Sequence, residues 1–314
     1  MPTSTAPVIP PDLSTAERKA RREARREKER ALSVGRAAKM HETRLAAESN
    51  PPLILAEAAQ RELPLLNAGC SGWYYWHWKG DVYPREISTT AWFNYYADRL
   101  ESVELNAPFY SWPTIATVKS WIRQAGSHPI VYTVKVSELI THIKRFEDTA
   151  ELVRDFGYIA DILGSRMGCF LFQLPPSYDY TPSRLQDIVS QLDPLRRNVV
   201  EFRHRSWWNE TVYEEFRKRG IMFCSASAPR LPDALVKTAD EVYIRFHGTK
   251  QWYDHNYSPE ELTHWADAVR DSGATRVWAY FNNDTHGYSF KNAAEFMQIL
   301  QLQKPEKALP TAVI

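Results

Sequence analysis

No part of the 314-residue sequence approaches the roughly 18 consecutive apolar residues that a membrane-spanning helix needs. The first thirty residues are polar and then densely charged, with no apolar run ahead of a small-residue cleavage site, so neither a span nor a secretory leader is expected. Cysteine is scarce. Cys70, Cys169 and Cys224 are odd in number, far apart and form no CxxC pair, which disfavours a disulfide framework and suits a reducing, cytoplasmic setting. A glycine-rich phosphate turn (GxGxxG or GxxxxGK[ST]) and an HExxH metal motif are both missing. Neither sign of charge dominates: 39 Lys and Arg against 38 Asp and Glu leave a net +1, so any attraction to nucleic acid must come from a local patch.

Aromatic residues are absent from residues 1–62, although the chain has 11 Trp, 16 Tyr and 13 Phe. Without rings to anchor a core, that segment reads as an extension to one domain over 63–304, with a short tail at 305–314. Residues 17–30, ERKARREARREKER, carry eight Lys and Arg against four Glu. From 15 to 48 there is no proline and one glycine, and Glu17 stands four residues before Arg21. This predicts a charged, solvated helix, stopped by Pro51 and Pro52, or else a disordered segment. Its functional reading is a contact with nucleic acid or another acidic partner. Its plainer reading is a solvated helix that touches nothing specific, favoured because no aromatic residue interleaves for base stacking.

What the chain does have, from residue 63 on, is alternation. Strand-like runs fall at 65–70, 102–106, 130–136, 169–174, 198–203, 221–225, 242–247 and 276–283. Helix candidates lie between and after them at 88–100, 114–125, 149–164, 181–192, 209–219, 258–272 and 290–302, with start signals at Ser88, Thr181 before Pro182, and Ser258 before Pro259. Only the connection 226–241 has no clear helix. Eight strands with helical crossovers in about 240 residues match an α/β fold of the TIM-like (β/α)8 barrel class. An open doubly wound sheet is the rival, and it would normally carry the missing glycine-rich turn.

Strands buried on both faces should be almost continuously apolar. Here polar residues intrude on one parity: Glu104 and Asn106, Lys135, Gln173, Glu201 and Arg203, Arg245 and His247, and Asn282 alternate with apolar neighbours. They also fall late in their strands, toward the end where such barrels build sites. The polar parity is therefore expected to face the lumen. An internal ion-pair plug would use the same residues, but six strands sending polar groups to one end favours a site. The three cysteines read as small core residues rather than nucleophiles.

These residues sit in recognisable segments: GCSGWYYWHWKGDVYP (69–84), VELNAPFYSWP (103–113), VKVSELITHIKRF (134–146), FLFQLPPSY (170–178), VEFRHRSWW (200–208), YIRFHGT (243–249) and YFNND (280–284). In this order they resemble domain-of-unknown-function family 72 over about residues 65–302. The resemblance implies a TIM-barrel-like fold whose mouth is lined by Trp73, Glu104, Asn106, Tyr110, Lys135, His142, Gln173, Glu201, Arg203, His204, Arg245, His247, Asn282 and Asp284. Where many members carry a small hydroxyl residue before Phe-Tyr, this chain has Ala107 and Pro108. No established activity comes with the resemblance, so the chemistry rests on the residues.

Lys135, Arg203 and Arg245, with His142 and His247, suit a phosphate or carboxylate. Glu104 and Glu201 would divide acid and base work if their surroundings separate their pKa values. Trp73, Tyr110 and the Trp207–Trp208 pair would wall a ring. The leading expectation is a metal-independent acid–base enzyme, a hydrolase or lyase, acting on an anionic small molecule or nucleotide fragment. Glu201, Glu104, Lys135 and His247 would be catalytic; the other mouth residues would bind substrate. A sharper variant makes Lys135 a Schiff-base former. One alternative places a divalent metal among Glu104, Glu201, His247 and Asp284, for phosphodiesterase- or isomerase-like chemistry. Another is a non-catalytic protein that binds a ligand in the barrel, or nucleic acid through residues 17–30.

Overall fold

The computed structural model describes residues 14–49 and 65–301 of the chain. The expected helix stop at Pro51 and Pro52, the boundary near residue 62 and the tail at 305–314 lie outside the described residues. Strands β1 (Leu66–Cys70), β2 (Ser102–Leu105), β3 (Val131–Lys135), β4 (Met167–Gln173), β5 (Asn198–Glu201), β6 (Met222–Ser227), β7 (Glu241–Phe246) and β8 (Arg276–Phe281) close a barrel in chain order. Every neighbouring pair is parallel, and closure runs from Leu66 opposite Val277 to Cys70 opposite Phe281.

Outside the strands lie α2 (Trp92–Ala97), α3 (Ile115–Ala125), α4 (Ala150–Leu163), α5 (Pro182–Gln191), α6 (Glu210–Arg219), α7 (Pro259–Asp271) and α8 (Tyr288–Gln301), preceded by the extension helix α1 (Thr15–Ser49). Side-chain oxygens that accept from the first turn set several starts: Thr114 for α3, Thr181 for α5, Asn209 for α6, and a reciprocal Ser258–Glu261 capping box for α7. Ser88 does not act this way. Its hydroxyl bonds Thr90, the next residues form a 3-10 turn, and α2 covers only part of 88–100. The helix carries Tyr96 into the β1–β2 seam, where the Tyr96 hydroxyl accepts from the Cys70 amide at 2.8 Å and donates to the Ser102 carbonyl at 2.7 Å.

No helix follows β6. An extended segment runs beside the strand instead: Thr238 accepts from the Phe223 amide at 2.8 Å, and Ser225 accepts from the Val236 amide at 2.8 Å. The alternation of side chains separates two cores. Val103, Val134, Phe172, Val200, Ile244 and Phe281 pack outward under the helices. Val131, Cys169, Leu171, Val199, Met222, Cys224, Tyr243, Trp278 and Tyr280 fill the interior. All three cysteines are buried and free.

Helix α1 departs from the expectation of a helix that touches nothing specific. Residues 15–28 are exposed, but Ser33, Ala37, Met40 and Arg44 form one buried stripe. Arg44 Nε donates to Asp155 Oδ1 on α4 at 2.8 Å, and His41 approaches the same oxygen at 3.1 Å. Ser33 Oγ accepts from the Trp112 amide at 3.2 Å, and Arg30 Nε reaches Glu138 at 2.9 Å. The stripe is small and polar as much as apolar, so hydropathy alone did not mark it. Among the described residues no helix is long and apolar enough to cross a membrane.

Candidate functional site

Residues of the polar parity do face the lumen at the carboxyl ends of the strands, in two tiers. In the deeper tier one guanidinium joins two carboxylates. Arg245 Nη1 donates to Glu201 Oε2 at 2.6 Å and Nη2 to Glu104 Oε1 at 2.5 Å. Glu104 also accepts the Ser71 hydroxyl at 2.7 Å and the Tyr243 hydroxyl at 2.6 Å. Glu201 Oε1 faces Arg203 Nε at 2.6 Å and His247 Nε2 at 3.0 Å. Asn282 Nδ2 lies 3.3 Å from His247 Nδ1. Arg203 Nη2 also lies 3.1 Å from His247 Nε2, so each ring nitrogen faces a donor group while Nε2 faces Glu201 as well.

Burial opposes the charge on Glu201, but Arg203, Arg245 and His247 outweigh it and hold the carboxyl well below its ordinary range. Burial likewise opposes the Arg245 cation, and Glu104 and Glu201 outweigh it. Burial, then Arg203 and Arg245, push His247 well below its usual value, so the ring is neutral. All four oxygens of the two carboxylates are engaged, and Glu201 stays ionised. One shared guanidinium joins the two carboxylates on which the expected acid and base roles were placed. The deep tier is thus a connected ion-pair network.

The upper tier is less committed. Lys135, at the end of β3, is buried, yet among the described residues no carboxylate lies within ion-pair distance of its amine. Its Nζ stands 4.0 Å from the centre of the Phe109 ring, a cation–π contact. Burial, and then the charge of Arg245, lower its pKa to about 7. His142 lies in the π-helical turn Leu139–Ile143 after β3, with its ring edge-on to Phe109 at 4.9 Å. Burial, and then Lys135, lower its pKa to about 4. The Arg203 guanidinium lies 4.3 Å over the Trp252 ring. Gln173 is buried and donates to the Leu174 carbonyl at 2.6 Å.

A cavity of about 320 Å³ opens between the loops after β1 and β2, lined by Ser71, Trp73, Tyr74, Tyr75, Asn106, Pro108 and Trp121 among others; Lys135, His142, Arg203 and Trp252 are not in its lining. Asn106 Nδ2 donates to the Ser71 carbonyl at 3.0 Å, while its Oδ1 is buried without a partner among the described residues. A larger hollow of about 420 Å³ lies at the opposite end of the barrel, around the starts of β4 and β5. It holds none of the expected site residues.

Several expected residues stand elsewhere. Trp207 is fully buried outside the barrel, stacked on Phe202 at 4.1 Å and on Tyr178, and Trp208 sits edge-on to Phe223. Neither walls the mouth: strand alternation carries Phe202 outward, and the loop that follows packs with it. His204 shares that outward parity, and its Nδ1 caps the turn at Ser206. Tyr110 is 51% exposed at the rim. Asp284 lies 3.4 Å from His77. With Arg245 standing between Glu104 and Glu201, the metal alternative lacks an assembled donor set. No group of three His, Cys, Asp or Glu side chains gathers for a metal among the described residues.

Ser71, Tyr243, Phe109 and Trp252 belong to the site and were not anticipated. Ser71 and Tyr243 were findable, since each sits on the lumen parity of its strand. Trp252 comes from a loop with no periodic signal.

An eight-stranded parallel barrel, closed in chain order and polar at the carboxyl ends of its strands, is a TIM-like (β/α)8 barrel. Residues 67–313 match the family described as protein of unknown function DUF72, and the chain belongs to that family. Among solved structures it is similar to a DUF72 family protein from Thermotoga maritima, at 27% identity and a TM-score of 0.68, covering 76% of this chain and 100% of that one. Two structures of a DUF72 family protein from Enterococcus faecalis share the fold. One has 18% identity and a TM-score of 0.64, covering 76% of this chain and 97% of that one. The other has 20% identity and a TM-score of 0.60, covering 69% and 96%. No curated protein matches the chain.

Proposed function

We propose that the barrel mouth binds an anionic small molecule bearing a ring, and that Lys135 moves a proton on it without a metal. The observation that carries this reading is the Lys135 amine itself: buried, with no carboxylate at ion-pair distance among the described residues, and acted on by Arg245 and Arg203 against the more distant Glu201 and Glu104. An amine kept from full protonation is a general base near neutral pH. Arg203, backed by Trp252, supplies the anion contact. The cavity between Trp73, Pro108 and Trp121 would take the ring, with Asn106 Oδ1, which has no partner among the described residues, accepting from a ring donor. Glu104, Glu201, Arg245 and His247 then act as the fixed floor that keeps the cations in place.

Free buried thiols support a reducing, cytoplasmic setting. The basic run 17–30 of α1, exposed from 17 to 28, would add a salt-dependent attraction to a large anionic partner, including nucleic acid.

The test is deuterium exchange in D2O, followed by NMR, across a panel of ring-bearing carboxylates and phosphates that raise the melting temperature. Binding with exchange that disappears in Lys135→Gln is expected. Binding without exchange in any compound would make the protein a non-catalytic binder, and no thermal stabilisation by any anion would remove the reading altogether.

A further inference from the structure

Resting on the reading of an anion site at the mouth, we infer that Lys135 captures carbonyl groups: it condenses with an oxo acid, whose carbonyl stands next to a carboxylate, to form an imine. The geometry favours this nucleophile over every other at the mouth. The hydroxyls of Ser71 and Tyr243 are both donated to Glu104. His247 is bonded on both ring nitrogens, and His142 Nδ1 is bonded to the Thr141 hydroxyl at 2.9 Å. Cys70 is buried in the outer core; Cys169 and Cys224 are buried in the barrel interior, where burial raises their thiols well above the ordinary value. Lys135 alone combines a terminal amine, no ion-pair partner among the described residues and an apolar ring at its side. The two carboxylates that would normally neutralise such a lysine are held by Arg245.

The chemistry balances without a further reactant. The Nζ lone pair attacks the carbonyl carbon, the oxygen takes a proton to give a carbinolamine, and loss of water leaves the C=N bond. Both hydrogens of the water come from the neutral amine. The substrate's carboxylate, one carbon away, would face Arg203, a half-buried cation whose Nε is paired with Glu201 and whose guanidinium lies over Trp252. An imine also explains why a lysine rather than a carboxylate stands at the site. The protonated imine draws electrons from the neighbouring carbon and makes its C–H acidic; that proton passes to water, since the Lys135 nitrogen is held in the imine, and Lys135 promotes exchange as the electron sink.

The experiment incubates the full-length protein with glyoxylate and cyanoborohydride between pH 6 and 9, then maps carboxymethylated lysines by peptide mass spectrometry. Lys135 should be modified roughly tenfold or more faster than exposed Lys79 or Lys250 at pH 7, because an ordinary lysine of pKa about 10.4 is almost wholly protonated there. Its rate should level off above about pH 7, and acetaldehyde, which lacks the anion, should show a smaller preference for Lys135. The comparison is internal to the wild-type protein, so no variant has to fold. Equal labelling of Lys135 and surface lysines would overturn the inference. Deuterium exchange on bound anions that persists while Lys135 is not trapped would overturn the imine and leave proton transfer standing. Failure of anions to bind at all would overturn both.

Discussion

The Lys135 amine rests 4.0 Å from the centre of the Phe109 ring, on a turn that α1 helps to hold. Ser33 of α1 accepts from the Trp112 amide, Arg36 bonds Ser111, and Arg30 reaches Glu138 just beyond β3. A segment that reads as an appendage thus braces two loops that shape the mouth, those bearing Phe109 and His142. The clamp and the site meet in the same few residues.

Arg245→Leu should be among the most damaging substitutions in the chain. It leaves Glu104 and Glu201 buried without their shared cation, which costs about 3–5 kcal/mol. Urea unfolding would show the loss. Adding Glu104→Gln and Glu201→Gln to the same variant should restore part of it, and a triple variant no more stable than the single one would contradict the charge argument.

Lys135 sets a pH dependence of stability. Its amine titrates near 10.5 when unfolded and at about 7 in the fold, so between those values the unfolded chain holds the extra proton and stability rises with pH. The penalty is fully present below the folded value. Lys135→Met should therefore be more stable than wild type at pH 6, by an amount on the order of a few kcal/mol. That advantage should shrink as the pH climbs toward 10.5. Parallel unfolding midpoints over this range would check it, and a constant difference would mean the buried charge is not its source.

Helix α1 should be cleaved by trypsin in two regimes. Sites from Arg18 to Arg26 are exposed and should be cut at once, whereas Arg44, buried against Asp155, should resist. Asp155→Ala removes the acceptor shared by Arg44 and His41 and should expose the later sites. Unchanged protection would show that the Ala37 and Met40 contacts suffice alone.

Two tryptophans should separate stability from binding. Trp207→Ala empties a buried stack and should destabilise by about 3–5 kcal/mol with anion affinity unchanged in the folded fraction. Trp252→Ala removes the ring beneath Arg203, worth about 0.5–2 kcal/mol, and should weaken anion binding while shifting the melting temperature little. Calorimetric titration and thermal melts on both variants distinguish the two roles.

Much of this protein was legible in its sequence because β-strands alternate strictly. Glu104, Glu201, Arg245 and His247 share a parity, and that places them in one lumen before any coordinate is known. The same rule located the strands, and the capping residues Thr181 and Ser258 located helix starts, because these signals act within a few neighbouring residues. Pairing across the barrel does not. That Arg245 would bridge Glu104 and Glu201, leaving Lys135 with no carboxylate at ion-pair distance among the described residues, depends on how residues up to 141 apart in sequence meet in space. The outward turn of Trp207, the arrival of Trp252 and the docking of α1 through Ser33 and Arg44 likewise arise from tertiary contacts. Local periodicity decides which face a side chain takes; only the closed barrel decides which charges meet there, since Coulomb attraction and desolvation depend on distance through space and not along the chain.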